Sequence, residues 1–292
     1  MSLRKNKLKP YALIFPGTLF ILFIVCTGLG VGLLQSLGVF RTIGMTRLTS
    51  EYYKSVFSSH NFLQSLYFSF YTSLCASLIA VLIGVALSVI FLNLKQRGKK
   101  AARIFRIPVS VPHLVVIVMM ITLFAKTGFL SRLFVLLFPT FNTDFFSRFI
   151  FDKKGIGIIL VYLWKEIPFV ALTTHSVLAN LDSELGITAQ NLGANYFQTL
   201  IHVLLPLAAP NIFSSFVIIF AYSFGGYEVP QLIGATVPKA LPVQAFIEYT
   251  NSLLENRPYA MAYSMLNLIF CLSLLLLFYA MYKILFRKVN IK

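Results

Sequence analysis

Two oppositely charged residues stand side by side inside an apolar stretch of the chain. Lys165 and Glu166 lie near the middle of residues 156–178, in the sequence VYLWKEIPFV. Ionisable side chains at membrane depth are costly, and they commonly line ion or solute paths. The pair therefore predicts the lining of a translocation path or, alternatively, two charges that neutralise each other at a subunit boundary. The sequence leaves both interpretations open.

The other residues capable of chemistry do not converge on a catalytic or metal-binding pattern. A membrane-embedded enzyme would need paired carboxylates, a metal-binding histidine pair, or a nucleophile with its base. The nine acidic residues are distributed over the links between apolar segments, except for Glu166. The histidines and cysteines are dispersed as well: His60, His113, His175, His202, Cys26, Cys75 and Cys271. No phosphate-binding loop of the form G-x-x-x-x-G-K-[ST] is present in the sequence. We therefore predict no catalytic residue, no metal site and no cofactor bound by this chain.

The composition indicates a polytopic membrane protein. Of the 292 residues, 58% are hydrophobic and 12% are charged, whereas soluble domains carry about 25% charged residues. A bilayer crossing needs about 20 apolar residues, folded as a helix that satisfies its own backbone. Six such segments are predicted: about 12–36, 63–92, 107–125, 156–178, 207–227 and 259–286. The sequence thus predicts one all-α transmembrane domain over residues 1–292, with the lipid bilayer as its surroundings.

The basic residues predict the orientation of the six helices. Fourteen fall at the two ends and in the link after the second segment: Arg4, Lys5, Lys7, Lys9, Lys95, Arg97, Lys99, Lys100, Arg103, Arg106, Lys283, Arg287, Lys288 and Lys292. The opposite links hold ten: Arg41, Arg47, Lys54, Lys126, Arg132, Arg148, Lys153, Lys154, Lys239 and Arg257. Because cytoplasmic links are enriched in Lys and Arg, both termini are predicted to be cytoplasmic. This pattern explains the net charge of +16 without a nucleic-acid partner.

The link at 179–206 is predicted to be cytoplasmic, yet it contains no Lys or Arg. Its apolar residues recur at spacings of three and four, which predicts one face of a helix. The residues on that face are Leu185, Ala189, Leu192, Tyr196 and Leu200. Gly193 interrupts the pattern and indicates a bend or a close backbone approach. An uncharged face of this kind is typical of a surface that docks against another protein.

Three motifs resemble those of binding-protein-dependent ABC importer permeases. The family's signature loop has a glycine, nine residues, and then a hydrophobic residue, any residue, Leu and Pro. Here this pattern is Gly193 with Val-Leu-Leu-Pro at 203–206. Upstream, Trp-Lys-Glu-Ile-Pro-Phe at 164–169 and the proline pair in Arg-Ile-Pro-Val-Ser-Val-Pro at 106–112 resemble further motifs of the same family. Their order along the chain also resembles the family's order.

The signature loop departs from the family pattern at one position. The three residues that open the signature fall at 187–189, and only the alanine matches. The usual glutamate is therefore absent, and Glu184, one helical turn earlier, is the acidic residue that could replace it. This departure affects one polar contact of the loop.

The resemblance implies a type I importer permease fold in the bacterial cytoplasmic membrane. It implies that the 179–206 link couples the chain to an ATP-binding subunit, whose nucleotide-driven closure switches the permease between two arrangements. The coupling residues implied are Glu184, Leu185, Ile187, Thr188, Ala189, Leu192, Gly193, Ala194, Leu205 and Pro206. The implied partners are two ATP-binding subunits holding ATP and Mg, a second and different permease, and an extracytoplasmic solute-binding protein.

The region after the fifth segment resembles the spermidine/putrescine-type branch of the family. The matching positions are Ser223, Gly225, Pro230, Leu232 and Gly234. The branch's glutamate position holds Gly226, and Glu228 follows two residues later. Since related branches carry phosphonates, iron or thiamine, the solute stays open among these and polyamines. The residues predicted along the path are Trp164, Lys165, Glu166, Tyr227 and Glu228, of which Glu228 is equally interpreted as a solvated loop carboxylate.

A secondary transporter is the alternative function. Such transporters often show repeated halves and interrupted helices. Residues 1–150 and 151–292 show no convincing similarity to each other. Coupling to an ion gradient would also leave the uncharged link at 179–206 unexplained.

Overall fold

The computed structural model describes residues 3–94, 100 and 102–285, and for residues 3–12, 147, 184 and 285 it describes the backbone alone. Several residues used for the orientation therefore lie outside the description: Lys95, Arg97, Lys99, Arg287, Lys288, Lys292 and the side chains of Arg4, Lys5, Lys7 and Lys9. The side chain of Glu184 lies outside it as well. The orientation in the membrane consequently stays a prediction.

The described part of the chain is built from α-helices joined by short 3₁₀ and π-helical segments. The α-helices are α1 (Leu3–Ser36), α2 (Glu51–Ser58), α3 (His60–Asn93), α4 (Arg106–Ser110), α5 (His113–Phe124), α6 (Phe129–Leu137), α7 (Ile156–Leu181), α8 (Ile187–Asn191), α9 (Tyr196–Thr199), α10 (Leu205–Gly225), α11 (Glu228–Ile233), α12 (Leu241–Tyr249) and α13 (Arg257–Leu285).

Six helical stretches among the described residues are long and apolar enough to cross a membrane. They are Leu13–Ser36, His60–Asn93, His113–Leu137, Ile156–Leu181, Tyr196–Gly225 and Leu254–Ile284. Many of their large apolar side chains are exposed, for example Leu82 and Leu276. Exposure of such side chains to lipid is not costly, because lipid tails are as apolar as the side chains themselves. The all-α fold with six transmembrane helices, predicted from composition, is confirmed.

The third predicted segment, about 107–125, is not one helix. Helix α4 ends at Ser110, Val111 is extended with ψ 131°, and α5 begins at His113. The cause is Pro112, because a residue before proline is pushed out of the helical region. The Val115 amide donates to the Pro112 carbonyl (3.1 Å). This break matters for the site described below, because it makes the Val111 carbonyl available to a side chain.

The link at 179–206 is mostly helical, as its periodicity predicts, but it forms two helical stretches rather than one helix. Helix α7 continues through the π-helical segment Asp182–Gly186 into α8, and α9 continues through the π-helical segment Leu200–Leu204 into α10. Only residues 192–195 interrupt the helices. The fifth predicted segment, about 207–227, therefore begins too late, because helical hydrogen bonding already starts at Tyr196 and the π-helical segment precedes Pro206.

The described residues divide into two compact units, one within residues 1–62 and 244–266 and the other within residues 63–243 and 267–292. In the larger unit α3, α7 and α10 meet around Ala80, Val170 and Ile219, which are buried. Gly84 of α3 allows this approach, since a Cβ there would lie 2.7 Å from the Cβ of Val170. Small residues at such contacts let membrane helices pack closely.

The smaller unit has its own aromatic core. The rings of Tyr52 and Tyr259 meet edge to face with centroids 4.9 Å apart, and those of Phe62 and Tyr263 lie 6.0 Å apart. Such aromatic pairs stabilise a core beyond the area they bury. Burial also raises the pKa of the Tyr52 hydroxyl.

Candidate functional site

A tight turn joins the two helices that the predicted coupling link contributes. The Gly193 amide donates to the Gln190 carbonyl (3.0 Å) and the Ala194 amide to the Ala189 carbonyl (3.1 Å). This pair of bonds is the Schellman motif, which closes a helix with a left-handed residue. Gly193 adopts that conformation with φ +93°. The left-handed turn thus explains the glycine. Apart from its two chain neighbours, no described residue lies within 4 Å of the place where its Cβ would stand.

The helix after the turn starts from a reciprocal cap. The Gln198 amide donates to the Asn195 side chain (2.8 Å), and the Asn195 amide donates to the Gln198 side chain (2.9 Å). This capping box satisfies two backbone donors that a helix start leaves free. Asn followed three residues later by Gln is a sequence signal for such a start, although the capping box is not among the features predicted above. The turn therefore has a defined shape on both sides.

The turn presents apolar side chains outward from a buried stem. Leu192 at its tip is 85% exposed, and Leu185, Ile187 and Thr188 are exposed beside it. Ala189, Ala194, Leu205 and Pro206 are half-buried. The stem consists of Leu178, Leu200, Leu204 and Ala208, which are buried together, with Leu205 packed against them. The predicted coupling residues with described side chains are thus divided between the exposed tip of the turn and the half-buried positions nearer the stem.

One part of the prediction for this link is wrong. Leu185, Ala189, Leu192, Tyr196 and Leu200 do not share one continuous helical face, because the chain reverses at Gly193. Leu200 is buried in the stem while Leu192 is exposed at the tip. The spacing of the apolar residues predicted one helix that continues past Gly193. In the structure the left-handed backbone of Gly193 ends the first helix before the second begins.

A second cluster of polar groups lies between α7 and α10, inside the apolar part of the larger unit. Glu166 of α7 is 5% exposed, and the Ser223 hydroxyl of α10 donates to its Oε1. The Tyr162 hydroxyl donates to the Ser223 carbonyl (3.3 Å). The Glu166 Oε2 atom is buried and has no hydrogen-bond partner within the described chain. A buried polar atom without a partner in the chain costs free energy unless water or a ligand supplies that partner.

Lys165 is directed to the broken third segment rather than to Glu166. Its Nζ donates to the Val111 carbonyl (2.7 Å) and lies 3.4 Å from His113 Nδ1. The Tyr222 hydroxyl lies 3.1 Å from the same nitrogen, and the Tyr222 and His113 rings stack with centroids 4.9 Å apart. The helix break at Pro112 therefore supplies the carbonyl that accepts a hydrogen bond from the half-buried Lys165 ammonium. This network links α5, α7 and α10.

The interpretation of Lys165 and Glu166 as a mutually neutralising pair is not supported. Successive residues of a helix point in different directions, and the two side chains have the separate partners described above. No ion pair joins them in the part of the chain that the structure describes. Both side chains nevertheless line the same cavity of about 190 Å³.

The other three predicted path residues are placed differently from one another. Trp164 is half-buried and packs against the core of the larger unit, as does Tyr227. Glu228 is exposed in the first turn of α11. Tyr227 and Glu228 line a second cavity of about 490 Å³, which includes Tyr162 and Tyr222 in its wall. The structure therefore brings Lys165 and Glu166 together at one cavity, and Tyr227 and Glu228 at another.

The buried hydrogen bond between Ser223 and Glu166 gives a first prediction. Ser223→Ala removes the donor to Oε1, so that neither carboxyl oxygen keeps a partner, and we expect a loss of about 1 kcal/mol in unfolding free energy. Thermal unfolding of the purified chain in detergent measures this. Ser214→Ala is the matched control on the same helix, because that hydroxyl is exposed and bonds only to the Pro210 carbonyl (2.8 Å). Equal shifts in melting temperature for the two variants would contradict the structural role of the Ser223 bond.

Similarity to known sequences covers most of the chain. Residues 80–291 match the family described as binding-protein-dependent transport system inner membrane component. A stretch of 118 residues is 30% identical to the inner membrane ABC transporter permease protein YdcU of Escherichia coli (strain K12), over 40% of this chain and 37% of that protein. A stretch of 137 residues is 30% identical to the spermidine/putrescine transport system permease protein PotB of Haemophilus influenzae, over 47% of each protein. The chain thus spans about half the length, or less, of these curated relatives.

Solved structures show the same fold. A bacterial ABC transporter involved in the import of the acidic polysaccharide alginate aligns with a TM-score of 0.71 at 17% identity, over 98% of both chains. The methionine ABC transporter MetNI, in an inward-facing conformation, aligns with a TM-score of 0.55 at 15% identity, over 78% of this chain and 96% of that one. The predicted type I importer permease fold is confirmed. Because the family match includes more than half of its residues, the chain belongs to the family of binding-protein-dependent transport system inner membrane components.

Proposed function

We propose that this chain is the transmembrane permease subunit of an ATP-driven importer for a small solute. A separate binding protein delivers the solute, and the chain alternates between two arrangements open to opposite sides of the membrane. The chain performs no catalysis itself. ATP and Mg belong to two partner ATP-binding subunits, and a second, different permease completes the translocation path.

The observation that carries this proposal is the apolar turn at residues 187–195. An exposed leucine at the tip of a stiff, buried stem costs solubility in water, which is explained if the tip is covered by another protein. The Schellman turn and the capping box fix the shape of the tip before any partner binds. A surface held in its bound conformation loses little entropy when it docks. The tip therefore suits a joint that transmits force to the membrane helices.

The turn lies between α7 and α10 in the chain, which suits it to transmit a displacement of its tip to the helices that carry Glu166 and Ser223. Glu166 lies on the helix that leads into the turn, and Ser223 lies on the helix that leaves it. Their hydrogen bond joins the two helices deep inside the larger unit. A displacement of the tip therefore acts on both members of the bond. The π-helical segments Asp182–Gly186 and Leu200–Leu204 lie between tip and path, and such segments are frequent at functional sites.

Cross-linking tests the proposed joint. In a variant with Cys26, Cys75 and Cys271 replaced by Ser, we expect Leu192→Cys to cross-link to a co-purified ATP-binding subunit in native membranes. Leu48→Cys is the control, because Leu48 is 70% exposed and lies in a link predicted on the opposite side. Cross-linking from Leu48 and not from Leu192 would contradict the proposal. Solute uptake driven by an ion gradient, without any ATP-binding subunit, would favour a secondary transporter instead.

A further inference from the structure

The 190 Å³ cavity between α4, α5, α7 and α10 places an acid and a base at a single small space. Its lining consists of Val109, His113, Lys165, Glu166, Phe169, Ile218, Ile219 and Tyr222. Ligand pockets for drug-sized molecules usually measure about 300–1,000 Å³. This cavity corresponds to roughly six water volumes. It therefore suits a solute, or a part of a solute, of few atoms.

The Glu166 carboxylate has one oxygen without a hydrogen-bond partner in the described chain. Ser223 occupies Glu166 Oε1, and Oε2 is buried with no partner in the described chain. Oε2 itself is not exposed to the cavity, so a donor reaches it only when the Glu166 side chain turns toward that space. Such a donor removes the cost of leaving the atom unpaired. Among donors, an ammonium forms the strongest bond with a carboxylate, because the bond is charge-assisted.

Lys165 and His113, which also line the cavity, have N–H donors that the contacts described so far do not use. An ammonium carries three N–H groups, and Lys165 directs two toward the Val111 carbonyl and His113 Nδ1. Because the lysine is a donor only, Nδ1 is assigned as the acceptor, and the neutral ring then carries its proton on Nε2. The third Lys165 N–H and the His113 Nε2–H are the groups that recognise an oxyanion.

We propose that this cavity is a binding site for a small zwitterion that carries an ammonium and an oxyanionic group. This inference rests on the proposed transport function and names its solute class. The ammonium binds Glu166 Oε2, and the oxyanion binds Lys165 and His113. A solute with only an amine places its positive charge near the Lys165 ammonium and offers no anion to pair with it. A solute with only an acid places its negative charge near the Glu166 carboxylate and offers no cation to pair with it. Unpaired charges of this kind provide the discrimination.

Thermal stabilisation of the purified permease and ATP-binding subunits, without binding protein, tests the solute class. The probes are three zwitterions, 2-aminoethanesulfonate, 3-aminopropanoate and 2-aminoethylphosphonate, each compared with its analogues lacking the amine or the acid. We expect at least one zwitterion to bind at least about tenfold more tightly than both of its analogues, as one charged hydrogen bond predicts. This comparison needs no variant, so it does not depend on a mutant that folds.

The variant Glu166→Gln connects the preference to the cavity. It keeps an acceptor for Ser223 and removes the charge, so we expect the preference for the zwitterion to fall to less than about a third of its wild-type value. Glu255→Gln is the control, since this exposed carboxylate is not part of the cavity lining. No preference for any zwitterion, or a preference that survives in Glu166→Gln, would overturn the inference. Neither outcome affects the Leu192 cross-link, so failure of the solute class is distinguishable from failure of the proposed function.

Discussion

Leu192→Asp is expected to abolish ATP-dependent transport while the chain still inserts and folds. Leu192 is exposed at the tip of the turn, and substitutions at exposed positions usually change stability by no more than about 0.5 kcal/mol. At the proposed joint, however, the aspartate replaces an apolar contact and loses its water on docking without gaining a partner. Central apolar anchors of an interface contribute about 2 kcal/mol or more to binding, which corresponds to a roughly thirtyfold loss of affinity.

Two measurements on membranes from the same cells check this expectation. One is the amount of ATP-binding subunit recovered with the tagged chain in mild detergent, and the other is ATP-driven uptake in membrane vesicles. Leu253→Asp is the control, because Leu253 is 63% exposed outside the α-helices and belongs to the smaller unit. Full recovery and full uptake in Leu192→Asp would remove the turn from the coupling mechanism. A loss in both variants would indicate a general effect of the added charge.

The membrane fold follows from the sequence because hydropathy depends on length and composition alone. Six apolar segments were predicted, and six helical stretches of suitable length are present in the described residues. The ends of the helices are harder to predict, because they depend on local backbone geometry. Pro112 divides the third segment, although hydropathy continues through it. The link at 179–206 is helical at both ends, although its polarity is that of a loop.

The polar cluster around Lys165 and Glu166 was predictable only in part. Lys165 and Glu166 are recognisable because charge inside an apolar segment is rare. Their partners are not, because His113 and Lys165 are separated by 52 positions and Ser223 and Glu166 by 57. Only packing of the helices brings them together. For these partners the sequence does hold one signal, Pro112, since a proline inside a membrane helix frees a carbonyl for another group.

Gly193 was recognised from the sequence, and the structure gives its role a specific cause. A φ of +93° is sterically costly for residues with a Cβ, by about 1–2 kcal/mol, and most costly when the Cβ is branched. Gly193→Val is therefore expected to distort the turn rather than to create a clash, since the surrounding space is open. The capping box at Asn195 and the exposed Leu192 flank this reversal on its two sides.

Gly193→Asn separates the backbone effect from the loss of a glycine. Asparagine tolerates the left-handed region far better than valine and serves as a helix C-terminal residue in the same motif. We expect Gly193→Asn to keep most of the ATP-driven uptake and Gly193→Val to lose about nine tenths of it or more, which corresponds to roughly 1.4 kcal/mol in coupling. Gly30→Ala is the control for adding a methyl group, because Gly30 lies within α1 and has no neighbour within 4 Å of the added carbon. If valine and asparagine reduce uptake equally, the left-handed turn is not the reason for the glycine. If only valine does, the shape of the tip, and not its composition alone, couples the ATP-binding subunit to the helices that carry Glu166 and Ser223.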